Sequence, residues 1–285
     1  MEIGLSLPTT VPGADGRQLI EFARRAEQLG FNTVTAVDRL VYDNYDSITA
    51  LAAAAAVTER ITLSTSILLA AYRPSVVELA KQLASVDRLS GGRLVLGLSS
   101  GMRTDDYEAT GVDPRTRGAR LDSMITELRE TWQGNGPVPG VGPKPVNGDI
   151  PMWIGGQSPA AIRRSAKHGI GWTSPGGNPM AFGELVTKVQ AAWTEEGRTD
   201  KPKMGANCYV SLGPEGAAAA DHHMRTYYAF MGEMVQHLAK GAVTDEARLR
   251  MVIDAYAANG CDQLFLLTCT ADPDQVDLIA KVAFA

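Results

Sequence analysis

Ile61-Thr62-Leu63-Ser64-Thr65-Ser66, the helix-period positions Leu79, Leu83 and Val86, then Ser90-Gly91-Gly92 and Arg93-Leu94-Val95-Leu96-Gly97 form the stretch that decides the fold. It reads as a β-branched strand, a one-faced helix, a glycine stop and a second strand. A strand, a helix and a returning strand make one parallel βαβ unit. The same unit stands upstream. Leu19, Phe22, Ala23, Ala26 and Leu29 share a helix face, Gly30 stops it, and strands Glu2–Leu7 and Thr33–Val37 flank it. With Ile61–Ser66 and Arg93–Gly97, the first four strands end at 7, 37, 66 and 97, spacings of 30, 29 and 31 residues. Downstream, Leu121, Ile125, Leu128 and Trp132 mark another helix face. Further strands are expected at Met152–Ile154, Gly171–Ser174, Gly205–Leu212 and Gln263–Thr268. Eight units in 285 residues average roughly 36 each, which fits a (β/α)8 barrel better than a doubly wound open sheet, the competing architecture.

Two connections exceed this rhythm. Residues 98–150 are expected to hold one helix and the Pro/Gly-rich run Gly134-Asn135-Gly136-Pro137 through Pro145. Residues 213–261 carry two helical patterns, around Ala217–Ala239 and Glu246–Ala258. These are insertions after the fourth and seventh strands, where barrel loops either shape a binding site or merely cover the surface. No linker or repeat interrupts residues 1–285, which read as a single domain.

Lys and Arg total 27 against 32 Asp and Glu, a net charge of −5 that argues against a nucleic-acid partner. Cys208, Cys261 and Cys269 are odd in number and lack ligand spacing, so a reducing, cytoplasmic setting is expected. Met1 leads straight into a strand with no leader pattern, and the longest apolar run, Ala50 to Val57, is too short to span a membrane.

The sharpest local feature is Pro151-Met152-Trp153-Ile154-Gly155-Gly156-Gln157-Ser158-Pro159. A strand ends in two glycines, Ser158 stands as a helix N-cap and Pro159 as the first helical residue. Amides at such a start bind anions, so Gly155, Gly156, Gln157 and Ser158 are candidate phosphate ligands, a plain capped turn being the alternative. Ser99, Ser100 and Gly101 after the fourth strand permit close approach of a flat cofactor, or make an ordinary turn. Asp38-Arg39 after the second strand are candidate catalytic residues, or a structural ion pair. His168, His222, His223 and His237 show no metal pattern. There is no GxxxxGK[ST] or HExxH motif, and no glycine fingerprint after the first strand. Trp132, Trp153 and Trp193 read as core, and Trp172 stands between core residue and cofactor contact.

Lys81-Gln82-Leu83-Ala84-Ser85-Val86-Asp87-Arg88-Leu89-Ser90-Gly91-Gly92-Arg93-Leu94-Val95-Leu96-Gly97 closely resembles a segment of the bacterial luciferase-like flavin and deazaflavin oxidoreductases. Arg117-Gly118-Ala119-Arg120-Leu121-Asp122, Pro151 to Trp172, Leu29-Gly30-Phe31-Asn32-Thr33-Val34 and Asp272-Pro273-Asp274-Gln275 are similar to further segments of that family. The resemblance implies a TIM barrel with a flavin-type cofactor at its mouth and the phosphate on Gly155-Gly156-Gln157-Ser158. It also implies a bulged non-proline cis peptide at Ser66-Ile67, behind the cofactor's central ring.

The sequence departs from the family in two places. Relatives often carry a histidine for proton transfer where Arg39 stands, and many that oxidise sugar phosphates have a glutamate where Met102 stands. A histidine-based sugar-phosphate oxidation is therefore disfavoured. Arg39 is expected to act as a fixed positive charge, with Asp38 or a bound water handling any proton. The resemblance, the Ser66-Ile67 match and the compact length imply a coenzyme F420-dependent oxidoreductase acting on a small-molecule substrate. The alternatives are an FMN-dependent monooxygenase fed by a partner flavin reductase, and a flavin-binding protein without turnover. Relatives are commonly dimers, so a homodimer is expected.

Overall fold

A computed structural model describes residues 1–285. In chain order the elements are β1 (Glu2–Ser6), α1 (Gly16–Gln28), β2 (Thr33–Ala36), α2 (Ser47–Ala55), β3 (Thr62–Thr65), α3 (Val76–Leu89) and β4 (Leu94–Leu98). Next come α4 (Asp105–Thr110), α5 (Arg117–Gln133), β5 (Met152–Gly155), α6 (Pro159–His168), β6 (Gly171–Ser174), α7 (Pro179–Glu195) and β7 (Lys203–Val210). The chain finishes with α8 (Gly216–Tyr227), α9 (Val235–Gly241), α10 (Glu246–Ala258), β8 (Gln263–Thr268) and α11 (Asp274–Ala283). The eight strands pair in parallel, in sequence order, and close on themselves. Gly4 registers with Phe265 and Leu5 with Leu266 where β1 meets β8. The open sheet is thereby excluded, and the architecture is the (β/α)8 barrel.

Helices form where the sequence supplies both an apolar face and a cap. In α1, Leu19, Phe22, Ala23 and Ala26 are buried, and Asp15 and Gln18 make a reciprocal capping box. Such a cap is worth about 1 kcal/mol. In α3, Ser75 caps, and Leu79, Leu83 and Val86 face inward. The Trp132 indole of α5 donates to the Ala80 carbonyl at 2.9 Å, fixing α5 against α3. The barrel interior is packed rather than hollow. Phe265 meets Trp153 edge to face at 6.2 Å, and a Cβ at Gly4 would stand only 2.9 Å from the Phe265 ring.

Strand ends differ from the sequence reading by one or two residues, as at β3, which stops at Thr65, and β7, which starts at Lys203. The insertions differ more. Residues 98–150 hold two α-helices rather than one, because the six-residue α4 ends at Gly111 in a left-handed conformation (φ 70°) and is too short to show a period. The pattern over Ala217–Ala239 breaks into α8, a 3₁₀ segment Ala229–Met234 and α9, with Gly232 (φ 58°, ψ −133°) at the kink. No helix is long and apolar enough to cross a membrane. The three cysteines are buried and free.

Candidate active site

The carboxyl ends of the strands open into a cleft of about 480 Å³, where barrel enzymes place their chemistry. Its floor is built from the turn after β3. The Ser66–Ile67 peptide is cis, as the resemblance implies. Ser66 donates from Oγ to Asn207 Oδ1 of β7 at 3.0 Å, crossing the barrel. Thr65 Oγ1 donates to the Gly97 carbonyl and accepts from the Gly97 amide, each at 2.9 Å. The Leu68 amide donates to the same carbonyl at 2.7 Å, and Leu68 in turn accepts from the Ser99 amide at 3.1 Å. These bonds lock the turns after β3 and β4 together. A glycine is required at Gly97, where a Cβ would overlap the Thr65 carbonyl, while a Cβ at Gly155 would displace the end of the Ile67 side chain. Ser66, Ile67, Ser99, Ser100, Gly101 and Gly155 all line the cleft.

The second wall follows β5. Ser158 is the N-cap of α6 and accepts from the Ala161 amide at 3.2 Å, with Pro159 at the first helical position. The Gln157 and Ser158 amides have no partner within the protein. The lip carries Arg117, whose Nη1 donates to the Pro114 carbonyl at 2.8 Å and meets no carboxylate. Arg164 also lines it, held to Asp122 through Nε at 2.6 Å and Nη2 at 3.0 Å. The donor set of free amides, a hydroxyl and a cation at a helix start suits a phosphate. Gly156 takes φ 124°.

Trp172 is not part of the lining. Its indole is fully buried, stacks on Phe182 at 5.7 Å and donates from Nε1 to the Gly156 carbonyl at 2.6 Å. It holds the glycine turn from behind and does not itself face the cleft.

Asp38 and Arg39 both reach the cleft, already engaged. The Asp38 carboxylate accepts from Ser47 Oγ at 3.1 Å, the Leu69 amide at 3.0 Å, Tyr72 Oη at 3.1 Å and Arg73 Nη2 at 3.0 Å. Burial pushes its pKa up, against the pull of the Arg73 guanidinium and the Leu69 amide. Arg39 is not a free charge. Its Nε pairs with Asp106 at 3.1 Å, while Nη2 donates to the Val41 carbonyl at 2.7 Å and approaches Asp105 at 3.5 Å. Asp106 is fully buried and also accepts from the Leu40 and Val41 amides. The pair thus fastens the loop after β2 to α4, an element too short to be seen in the sequence.

The remaining wall escaped the sequence reading. Asn207 and Tyr209 of β7, Tyr227 at the end of α8, Tyr228, Phe230 and Leu267 line it. The Tyr209 and Tyr228 hydroxyls are 2.9 Å apart, and the Tyr227 and Tyr228 rings meet edge to face at 4.9 Å. Two signals were available: the period-2 pair Asn207 and Tyr209 facing one side of a strand, and the aromatic run Tyr227, Tyr228, Phe230 inside an insertion. None of the four histidines lines the cleft. His223 is buried behind this wall, its ring parallel to Tyr227 at 5.8 Å, and neither ring nitrogen has a partner.

The family model for luciferase-like monooxygenases matches residues 1–277. An uncharacterised protein of Mycobacterium tuberculosis is 29% identical over 212 residues, 63% of this chain and 73% of that protein. The structure of a monooxygenase from Streptomyces bottropensis superposes with a TM-score of 0.82 at 20% identity, covering 100% of this chain and 99% of that one. An F420-dependent secondary alcohol dehydrogenase in complex with an F420–acetone adduct gives 0.82 at 18% identity, covering 99% and 97%. At these identities the two structures establish a shared fold, and the sequence match establishes the lineage. The chain belongs to the luciferase-like monooxygenase family.

Proposed function

We propose that this protein is a coenzyme F420-dependent oxidoreductase that passes hydride between the deazaflavin and a small organic substrate at the barrel mouth. The observation that carries this reading is the helix start with unpartnered amides at one end of the cleft. The free Gln157 and Ser158 amides at the start of α6 offer donors to a phosphate. Arg117, with no carboxylate partner, adds a cation at the lip. A cation at the lip is compatible with a cofactor whose anionic chain continues past its phosphate, as in F420. When bound, a deazaflavin supplies two-electron hydride chemistry with little reactivity toward oxygen.

The residues of the chain supply shape and charge. Ser66, Ile67 and Gly155 form a floor on which a flat ring rests, and Gly156 lets a phosphate approach the backbone. Asp38 acts as a positioning residue: four donors occupy its carboxylate, and it holds Leu69, Tyr72 and Arg73 in place beneath the cleft. Arg39 relays no proton, because a guanidinium stays charged. Any proton delivered to the substrate comes from water or a hydroxyl.

Parallel titrations with F420 and FMN test the assignment. F420 is expected to bind at least ~10-fold more tightly, with Arg117→Ala narrowing the gap. Anaerobic oxidation of reduced F420 by a panel of enones is expected to proceed. Tighter FMN binding, with oxygen uptake in the presence of a flavin reductase, would instead establish FMN-dependent monooxygenation. Binding without turnover on any substrate would make this a binding protein.

A further inference from the structure

We propose that the Tyr209–Tyr228 hydroxyl pair anchors the substrate oxygen, in an aromatic box that selects a flat, conjugated carbonyl compound. The inference rests on the hydride-transfer reading above and names the substrate class of that same site. Its starting point is a proton count. Two hydroxyls 2.9 Å apart carry two protons, and the single bond between them uses one. Whichever tyrosine accepts in that bond keeps an O–H of its own, and neither hydroxyl has another protein partner. Both residues line the cleft, so the pair stands at the edge of the space a substrate would fill. A donor left unsatisfied there costs more than it returns until an acceptor arrives.

Neighbouring groups leave this role to the tyrosines. Arg39 is bound to Asp106 and lies 5.7 Å from the Tyr227 ring. Arg103 pairs with Asp105 and lies 4.1 Å above the Phe230 ring. Burial holds the Tyr209 and Tyr228 pKa values above the ordinary phenol value, so both remain neutral donors across the physiological range. The Tyr228 and Phe230 rings, tilted 36° with centroids 6.1 Å apart, add apolar lining beside the pair, and Tyr227 supports Tyr228 edge to face.

The chemistry balances. Hydride adds to the carbon conjugated with the carbonyl and brings both electrons of the new C–H bond. The displaced π pair moves to the substrate oxygen, and a solvent proton then completes the saturated product. The reduced deazaflavin is oxidised and the substrate reduced. A fixed donor at the oxygen stabilises the charge as it develops.

The test compares wild type with Tyr209→Phe, Tyr228→Phe and the double variant, using cinnamaldehyde as probe and the protein loaded with oxidised cofactor. In wild type, the carbonyl stretch of bound cinnamaldehyde is expected at lower frequency than in an apolar solvent. It is expected to return to the solvent value in the double variant. With reduced cofactor, kcat/KM for cinnamaldehyde is expected to fall ~100-fold in the double variant. Each single variant, which retains one O–H, is expected to lose ~10-fold. Cofactor affinity, read separately by titration, is expected to be unchanged in all three. An unshifted carbonyl in wild type, or a double variant that keeps both the shift and the rate, overturns the anchor. A saturated aliphatic aldehyde reduced as efficiently as cinnamaldehyde overturns the substrate class. If the protein binds FMN rather than F420, the cofactor reading fails while the carbonyl shift still reports on the tyrosines.

Discussion

The two walls of the cleft are made in opposite ways. The wall after β3, β4 and β5 is mostly backbone: glycines, short hydroxyl side chains and free amides, tied by bonds such as Thr65 to Gly97. The wall formed by β7 and α8 is side chain: Tyr209, Tyr227, Tyr228 and Phe230 in mutual contact. A backbone wall can take an invariant piece of ligand, such as a phosphate or a flat ring, because amides and glycines offer position and little chemical variety. A side-chain wall can be changed residue by residue. The first suits a cofactor and the second a substrate.

The most disruptive change lies at the seam between them. Asp106→Ala would leave Arg39 charged and buried with only the more distant Asp105 and would strip the Leu40 and Val41 amides of their acceptor. Denaturant unfolding is expected to show a loss of about 3–5 kcal/mol. A loss under 1 kcal/mol would mean that the loop after β2 is held by something other than this pair.

His223 probes the side-chain wall from behind. Burial holds its pKa at about 4, below the ordinary 6.5, so the folded protein binds fewer protons than the unfolded chain as the pH drops. The stability contributed above pH 6.5 is therefore lost as the pH falls toward 4, by about 3 kcal/mol. His223→Phe, which keeps a ring against Tyr227, is expected to flatten that part of the pH–stability curve. Parallel curves for the two proteins would remove the histidine from the acid response.

On the backbone wall, Gly156→Val places a branched side chain at φ 124°, with its Cβ 2.9 Å from that of Ala161. Cofactor affinity is expected to fall at least ~10-fold, about 1.4 kcal/mol, with the circular dichroism spectrum retained. Unchanged affinity would move the phosphate off this turn. The smallest effect is expected for Trp172→Phe, which keeps an aromatic ring near Phe182 but loses the 2.6 Å bond to the Gly156 carbonyl. A loss of about 1 kcal/mol in stability, measured by denaturant unfolding, matches one buried hydrogen bond. No change would show that the turn does not need the indole.

The contrast between the walls also explains what the sequence revealed. Strand spacing pointed to parallel βαβ units because each unit is local, and Gly155-Gly156-Gln157-Ser158-Pro159 announced the capped helix start because cap and turn are contiguous. The cis bond at Ser66-Ile67 came from the family resemblance, and Ser99 to Gly101 were marked by a short Gly/Ser turn that the structure places in the cleft lining. Arg39 was legible only in part. Its position was clear, but its partner Asp106 lies 67 residues away on a helix of six residues, which no periodicity marks. Tyr209 and Tyr228 were missed because they meet only after the chain passes through α8 and turns at Tyr228. Residues joined through neighbouring backbone can be read from a string, whereas residues joined through an insertion's packing cannot.

A crystal structure with F420 bound tests the division of the cleft most directly. The phosphate is expected within hydrogen-bond distance of the Gln157 and Ser158 amides, with the ring on the Ser66–Ile67 turn and the Tyr209–Tyr228 side left open for substrate. A phosphate bound elsewhere, or a ring occupying the tyrosine box, would contradict the account.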